Sequence, residues 1–198
     1  MTPIATVLYR ESEIRSRVRE LGETITTDYA GRSPVFVSVL KGGAIFLADL
    51  FRHVDLPVRV DFMSISSYGS GTEGSGVVRI LKDLDSDIGG EHVVVIEDII
   101  DTGLTLSYLL STLGARGPAS IEICALLDKS VRRIPRLDIR YIGFDCPDRF
   151  VVGYGLDERE RYRNLPFILA IEDQRALSDD LGALVPFLEG EPPADAAG

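Results

Sequence analysis

The sequence predicts an α/β protein with a mostly parallel sheet. The order strand, glycine turn, helix occurs twice, at residues 35–51 and 93–113. Each time, a run rich in β-branched residues precedes glycine and then apolar residues spaced to share one helix face. Open sheets of this kind bind ligands at the carboxyl ends of their strands. We therefore expect the functional residues directly after the strands.

Length and composition limit the classes of function. The chain has 198 residues, 45% of them hydrophobic, and a net charge of −10. Residues 1–188 suit a single domain, and residues 189–198, rich in Pro, Ala, Gly and acids, are expected to form a disordered tail. The acidic balance argues against a nucleic-acid partner. No apolar run spans a membrane and no signal peptide is recognised, so no membrane contact and a cytoplasmic location are expected.

The cysteines and histidines do not form a reactive pattern. Cys124 and Cys146 each lie in an apolar, strand-like segment, which predicts buried free thiols. His53 and His92 are too few and too poorly spaced for a zinc site or a nucleophile–histidine triad. Both histidines are interpreted as structural or surface residues.

The first half of the chain predicts a helix followed by strands and a long hairpin. Ile14, Val18, Leu21 and Ile25 share one face of a helix over residues 11–30. A strand at 35–40 leads through a glycine turn into a second helix. Further strands at 58–65 and 77–84 flank a Gly- and Ser-rich loop that could close over a site; a hairpin with no role is the alternative.

The second half adds a central strand, a helix and three more strands. Leu106, Leu109, Leu110 and Leu113 share one face of the helix after the central strand. The remaining strands are predicted at 120–127, 139–144 and 165–171. Lys129 follows the first of them and would face the same crevice as the end of the central strand. The nearby arginines are interpreted as a solvated basic turn: Arg132, Arg133 and Arg136.

The end of the central strand carries the densest group of polar residues. Glu97, Asp98 and Asp101 precede a Thr-Gly-x-Thr turn at the start of a helix. Free N–H groups and hydroxyls at a helix N-terminus form an anion site, and the carboxylates suit Mg²⁺. The stretch is interpreted as a phosphate cradle with acids beside it. A capped helix with three solvated acids remains the alternative.

This stretch resembles the phosphoribosyl diphosphate (PRPP) motif of the type I phosphoribosyltransferases, and most closely their hypoxanthine-guanine branch. Further matching motifs follow in the family's order: Leu40-Lys41-Gly42-Gly43, Ser67-Tyr68, Asp128-Lys129, residues 149–157 and Arg163. The resemblance implies a central, mostly parallel sheet flanked by helices, with a small hood and a flexible active-site loop.

The resemblance also implies which residues bind PRPP. The 5′-phosphate would lie on the loop from Asp101 to Thr105, which comprises Asp101, Thr102, Gly103, Leu104 and Thr105. Some relatives carry Lys or Arg where Leu104 stands, so this chain has one cation fewer for the phosphate. Glu97 and Asp98 would contact the ribose hydroxyls, directly or through Mg²⁺.

The leaving group and the metal have their own implied residues. Pyrophosphate would contact the turn of Lys41 and Gly42, which in this family often contains a non-proline cis peptide, and also Arg163. Asp157 would bind the metal together with Glu97 and Asp98.

A third implied set of residues binds the purine. Lys129 would read the 6-oxo group, Phe150 would stack on the base, Val151 would supply backbone contacts, and Asp157 would border this site. Asp101 would take the proton from N7 as its catalytic acid–base. The loop of Ser67 and Tyr68 would then close to exclude water.

The resulting expectation is a purine-salvage enzyme that makes IMP or GMP and pyrophosphate from PRPP and hypoxanthine or guanine. It would use Mg²⁺ and form a homodimer or homotetramer, as the family usually does. Xanthine-guanine specificity remains open, whereas Lys129 disfavours adenine because an ammonium group only donates hydrogen bonds. An RNA-binding regulator of the same fold and a non-catalytic nucleotide-binding module are the alternatives from other classes.

Overall fold

A computed structural model describes residues 4–67, 78–180 and 182–190. Its main sheet has six strands in the order β4-β3-β2-β5-β6-β7, parallel except for the edge strand β4. This arrangement confirms the predicted α/β fold. The strands are β1 (Ala5–Tyr9), β2 (Val35–Leu40), β3 (Arg59–Ser67), β4 (Val78–Lys82), β5 (His92–Ile100), β6 (Ser120–Asp128), β7 (Tyr141–Asp145), β8 (Phe150–Val152) and β9 (Ile168–Ile171).

Helices cover both faces of this sheet. The helices are α1 (Glu11–Asp28), α2 (Gly43–Leu50), α3 (Leu104–Gly114) and α4 (Gln174–Asp179). In β5, Val94 and Ile96 pack in the cluster that contains α1 and α2, whereas Val93 and Val95 pack in the cluster that contains α3. Successive side chains of a strand point to opposite faces, so a strand between two helical layers must be apolar on both. This requirement explains the unbroken apolar run.

The helices match their predicted apolar faces. Ile14, Val18, Leu21 and Ile25 of α1 are buried, and α1 ends at Asp28, two residues before the predicted end. On α3, Leu106, Leu109 and Leu113 are buried. Amphipathic spacing therefore identified the faces that pack on the sheet.

A second, three-stranded antiparallel sheet has the order β1-β9-β8. It corresponds to the small hood that the resemblance implied. The sequence analysis did not predict β1, β8 or α4, all of which are short. The predicted last strand began at residue 165, whereas β9 begins at Ile168. The segment before β9 packs against Gly153 instead: a Cβ added to Gly153 would lie 2.1 Å from the Phe167 carbonyl oxygen.

Other parts of the prediction have mixed outcomes. Cys124 and Cys146 are buried free thiols, as predicted. Strands β3 and β4 form the predicted antiparallel hairpin, but Tyr68 and most of the predicted loop lie outside the described residues. Of the predicted tail, Glu189 ends a 3₁₀ helix and residues 191–198 are not described. No described helix is long and apolar enough to cross a membrane.

Candidate active site

Two adjacent carboxylates lie near the end of the central strand, β5. Glu97 and Asp98 are partly buried near the carboxyl end of β5. Burial raises the pKa of the Glu97 carboxyl well above its ordinary value, and the charge of Asp98 adds to this shift. Burial also raises the pKa of Asp98, against the opposing effects of the Ile99 amide and of Arg163. A bound cation would stabilise the charged forms of these two carboxyls, whose pKa values are both raised.

The loop after β5 forms a small cavity at the start of α3. Gly103 caps the helix with φ of 78°, a left-handed conformation that suits glycine. The cavity has a volume of about 190 Å³, and the residues that line it include Glu97, Asp101, Thr102, Gly103 and Thr105. Leu104 is 52% exposed and is not among the lining residues. Backbone N–H groups at a helix start, with two threonine hydroxyls, can hold a phosphate there.

The turn after β2 contacts both the acid pair and a distant segment. The peptide bond between Leu40 and Lys41 is cis. A Cβ added to Gly42 would lie 1.6 Å from Asp98 Oδ2, and one added to Gly155 would lie 2.4 Å from the Gly42 carbonyl oxygen. Three segments far apart in the sequence therefore meet at Gly42, with no room for a side chain.

A charged cluster lies beside this turn. Lys41 pairs with Glu160 at 2.6 Å, and Arg163 pairs with Asp157 at 2.8 Å and with Glu160 at 3.4 Å. Arg163 Nη1 also donates to the Gly155 carbonyl at 2.7 Å, whereas its buried Nε has no partner among the described residues. The cluster unites Lys41, Asp157 and Arg163, all identified from the sequence.

The sequence analysis missed Glu160. Its hydrogen bond with Lys41 lowers the pKa of Glu160, and its amide donates to Asp157 Oδ2 at 2.8 Å. Glu160 lies three residues from both Asp157 and Arg163. That spacing is a signal that could have identified it, but the segment was described only as dense in charge.

The other residues predicted for the purine lie on two further segments, Lys129 directly after β6 and Phe150 and Val151 in β8. Lys129 is 5% exposed, and its amide donates to the Ile100 carbonyl at 2.9 Å, which holds it beside the loop of Asp101. Val151 is buried in β8 opposite Ala170, and Phe150 is partly buried against the apolar cluster of the three-stranded sheet. Ser67 ends β3, at the base of the hairpin.

The basic turn after Lys129 is not simply solvated: Arg132 is exposed but forms ion pairs, and the interpretation was wrong for Arg133. The side chain of Arg133 is only 13% exposed and forms an ion pair with the buried Asp128. Arg132 pairs with Asp101 at 3.2 Å. Sequence spacing could not show this, because the partners come from the ends of β5 and β6.

Asp101 lies next to both the cavity at the start of α3 and the segment of Lys129. It lines the cavity at the start of α3 and follows Ile100, whose carbonyl binds the Lys129 amide. Its Oδ1 is shielded from solvent and accepts no hydrogen bond from a described residue. Arg132 Nε lies 3.2 Å from this oxygen, so an ion pair holds the carboxylate beside the cavity.

These features define an α/β protein with a candidate phosphate-binding loop at the carboxyl edge of its sheet. The chain matches the model of the phosphoribosyl transferase domain over residues 6–159, and it belongs to this family.

Its relatives belong to the hypoxanthine-guanine branch. It is 50% identical over 165 residues to the hypoxanthine-guanine phosphoribosyltransferase of Bacillus subtilis, covering 83% of this chain and 92% of the relative. It is equally similar to the bifunctional protein TilS/HprT of Listeria monocytogenes, but spans only 26% of that protein's length. A crystal structure of a hypoxanthine phosphoribosyltransferase from Staphylococcus aureus superposes with a TM-score of 0.81 at 47% identity, covering 84% of this chain and 91% of that one.

Replacing Gly42 with alanine should disrupt this site. The new Cβ would displace Asp98, and we expect a loss of about 1–3 kcal/mol in the free energy of unfolding. The control is Gly114→Ala at the end of α3, where no atom lies within 4 Å of an added Cβ, so stability should stay equal or increase. Denaturant unfolding measures both variants. Equal stability of the two would contradict the close approach.

Proposed function

We propose that the protein transfers the 5-phosphoribosyl group of PRPP to hypoxanthine or guanine, giving IMP or GMP and pyrophosphate. The observation that carries this proposal is the position of Asp101 between the cavity at the start of α3 and the segment of Lys129. Its partly exposed carboxylate is suited to accept a proton from a bound base. Membership of the family and relatives named for this activity support the proposal.

The phosphoribosyl end of PRPP would occupy the cavity at the start of α3. Backbone N–H groups and the hydroxyls of Thr102 and Thr105 bind the 5′-phosphate there. Leu104 adds no charge, so this binding depends on dipoles and hydrogen bonds. Glu97 and Asp98 bind the ribose hydroxyls, which lie between the phosphate and the leaving group.

Pyrophosphate would bind at the turn of Lys41 and Gly42. The missing side chain of Gly42 lets the backbone approach the ligand closely. Lys41 and Arg163, which pair with carboxylates in the free protein, exchange those partners for phosphate oxygens. The unpaired Nε of Arg163 provides a further donor.

Mg²⁺ is the metal that the donor set fits. No group of three metal-ligating side chains occurs among the described residues. Mg²⁺, however, commonly takes only one or two carboxylates from the protein, and substrate phosphates and water complete its octahedron. One or two of the carboxylates of Asp157, Glu97 and Asp98 would hold it. When bound, Mg²⁺ neutralises charge on the pyrophosphate leaving group.

The purine residues then direct the transfer. The Lys129 ammonium donates to the 6-oxo group, Phe150 stacks on the ring, Val151 contacts it through the backbone, and Asp157 borders this site. The base attacks C1′ through N9 as the bond to pyrophosphate breaks, and Asp101 takes the proton from N7. Ser67 and Tyr68 close over the site, which excludes water from the activated sugar. We also propose a cytoplasmic homodimer or homotetramer.

An assay with a panel of bases tests the proposed reaction. The purified protein is supplied with PRPP, Mg²⁺ and, in turn, hypoxanthine, guanine, xanthine, adenine or uracil. We expect nucleotide formation with hypoxanthine and guanine, and loss of activity in excess chelator with recovery when Mg²⁺ is restored. Preference for xanthine would favour the xanthine-guanine alternative, and no transfer to any base would contradict the enzymatic function.

Asp101→Asn should reduce turnover while PRPP still binds. The amide cannot accept the N7 proton, so kcat should fall by roughly 10²–10⁴-fold. The matched control is Asp138→Asn, the same chemical change at an exposed residue. Steady-state kinetics and calorimetric PRPP titration measure the two effects. Near-normal turnover of Asp101→Asn would exclude the acid–base role.

Lys129→Met should weaken recognition of the base and leave PRPP binding intact. Methionine keeps most of the buried stem but removes the donor to the 6-oxo group. A charged hydrogen bond contributes about 1.5–3 kcal/mol, so KM for hypoxanthine should rise roughly 10–100-fold. The KM for PRPP is the internal control. An unchanged KM for hypoxanthine would remove Lys129 from the base site.

A further inference from the structure

Arg132 contacts both carboxylate oxygens of Asp101. Its Nη1 donates to Asp101 Oδ2 at 3.4 Å, while its Nε lies 3.2 Å from Oδ1. The Nε–H bond is not aligned with Oδ1, which accepts no hydrogen bond from a described residue. The guanidinium therefore holds the carboxylate through both of its oxygens.

Arg132 is held in this position by the backbone on both sides. It ends a 3₁₀ turn, Ser130–Arg132, in which its amide donates to the Lys129 carbonyl at 3.0 Å. Before the turn, the Lys129 amide binds the Ile100 carbonyl, and after it the Ile134 amide donates to the Thr102 carbonyl at 3.0 Å. These two bonds flank Asp101 in the sequence. The turn that carries Arg132 is thus attached to the loop that carries Asp101.

The same guanidinium reaches a third segment. Arg132 Nε lies 3.6 Å from Asp148 Oδ1, in the connection between β7 and β8. That connection leads directly to Phe150, and its Cys146 amide binds the Asp128 carbonyl at 2.8 Å. Arg132 therefore joins the loop of Asp101 to the segment that presents the stacking ring.

We propose that Arg132 is a positioning residue that orients the Asp101 carboxylate toward the purine, an inference that rests on the proposed function. In the reaction the N9–C1′ bond forms, the bond from C1′ to pyrophosphate breaks, and the N7 proton passes to the Asp101 carboxylate. Proton transfer requires the carboxylate in a narrow range of orientations. Arg132 acts on this step through Asp101, not by contact with the reacting atoms.

A double-mutant cycle tests this role. The variants are Arg132→Gln, Asp101→Asn and the double variant, with Arg132→Lys as the conservative change and Arg136→Gln as the control. Arg136 is exposed in the same turn and forms no ion pair with a described residue. Kinetics with PRPP and hypoxanthine measure kcat and both KM values, and thermal unfolding checks that each variant is folded.

The expected result is that Arg132→Gln lowers turnover when Asp101 is present and has almost no further effect when Asp101 is replaced by asparagine. Because exposed ion pairs are weak, Arg132→Gln should lower kcat about fivefold and change the KM for PRPP by less than about twofold. Arg132→Lys should retain more activity, and Arg136→Gln should match the wild type. In the Asp101→Asn background, Arg132→Gln should change kcat by less than about 1.5-fold, because coupled residues are not additive.

Other outcomes overturn the inference, and they separate it from the proposed function. The same loss from Arg132→Gln in both backgrounds would mean that Arg132 acts without Asp101. Unchanged or faster turnover in Arg132→Gln, or an equal loss in Arg136→Gln, would exclude the positioning role. In these cases the panel assay and Asp101→Asn would still support the proposed function. A wild type that transfers to no base, or full activity in Asp101→Asn, would overturn both.

Discussion

The site depends on the close approach of three chain segments at Gly42. A Cβ added to Gly42 would lie 1.6 Å from Asp98 Oδ2 and 3.4 Å from the Gly155 carbonyl oxygen, so any side chain there would collide with the Asp98 carboxylate. This contact places the end of β2, the acids of β5 and the segment from Gly153 to Arg163 against one another. Lys41, Asp98, Asp157 and Arg163 become neighbours as a consequence, although they are spread over more than a hundred residues. The cavity at the start of α3 lies at the same edge of the sheet.

The second constraint on the site is the compensation of the protein's negative charge by basic side chains. The chain carries a net charge of −10, yet its proposed ligands are polyanions. The structure meets this conflict locally: basic side chains surround the crevice, and each of Lys41, Arg132, Arg133 and Arg163 pairs with an acid. Most of these pairs are partly exposed, so little stability is lost when an anionic ligand takes over one partner. The pair of Arg133 with Asp128 differs, because both groups are buried and removal of either would leave an uncompensated charge.

Most of the fold could be predicted from local patterns. The apolar runs of β2, β5 and β6 and the amphipathic spacing of α1 and α3 are visible in the sequence, because each strand or helix must bury its own apolar face. The short pieces β1 and α4 gave no comparable signal. β1 is an edge strand of the hood, and its pattern has meaning only beside β9, whose residues come more than 150 positions later.

The chain by itself determined the family, the identity of the motifs and the edge of the sheet at which they gather. These follow from residue type and order, which short-range physics and resemblance can interpret. Tertiary structure alone decided which charges pair: Glu160 with Lys41, Arg133 with Asp128, and Arg132 with Asp101. The reason is geometric. Parallel strands bring residues together at their carboxyl ends whatever their separation in sequence, and side chains a few ångströms apart there leave no periodic trace along the chain.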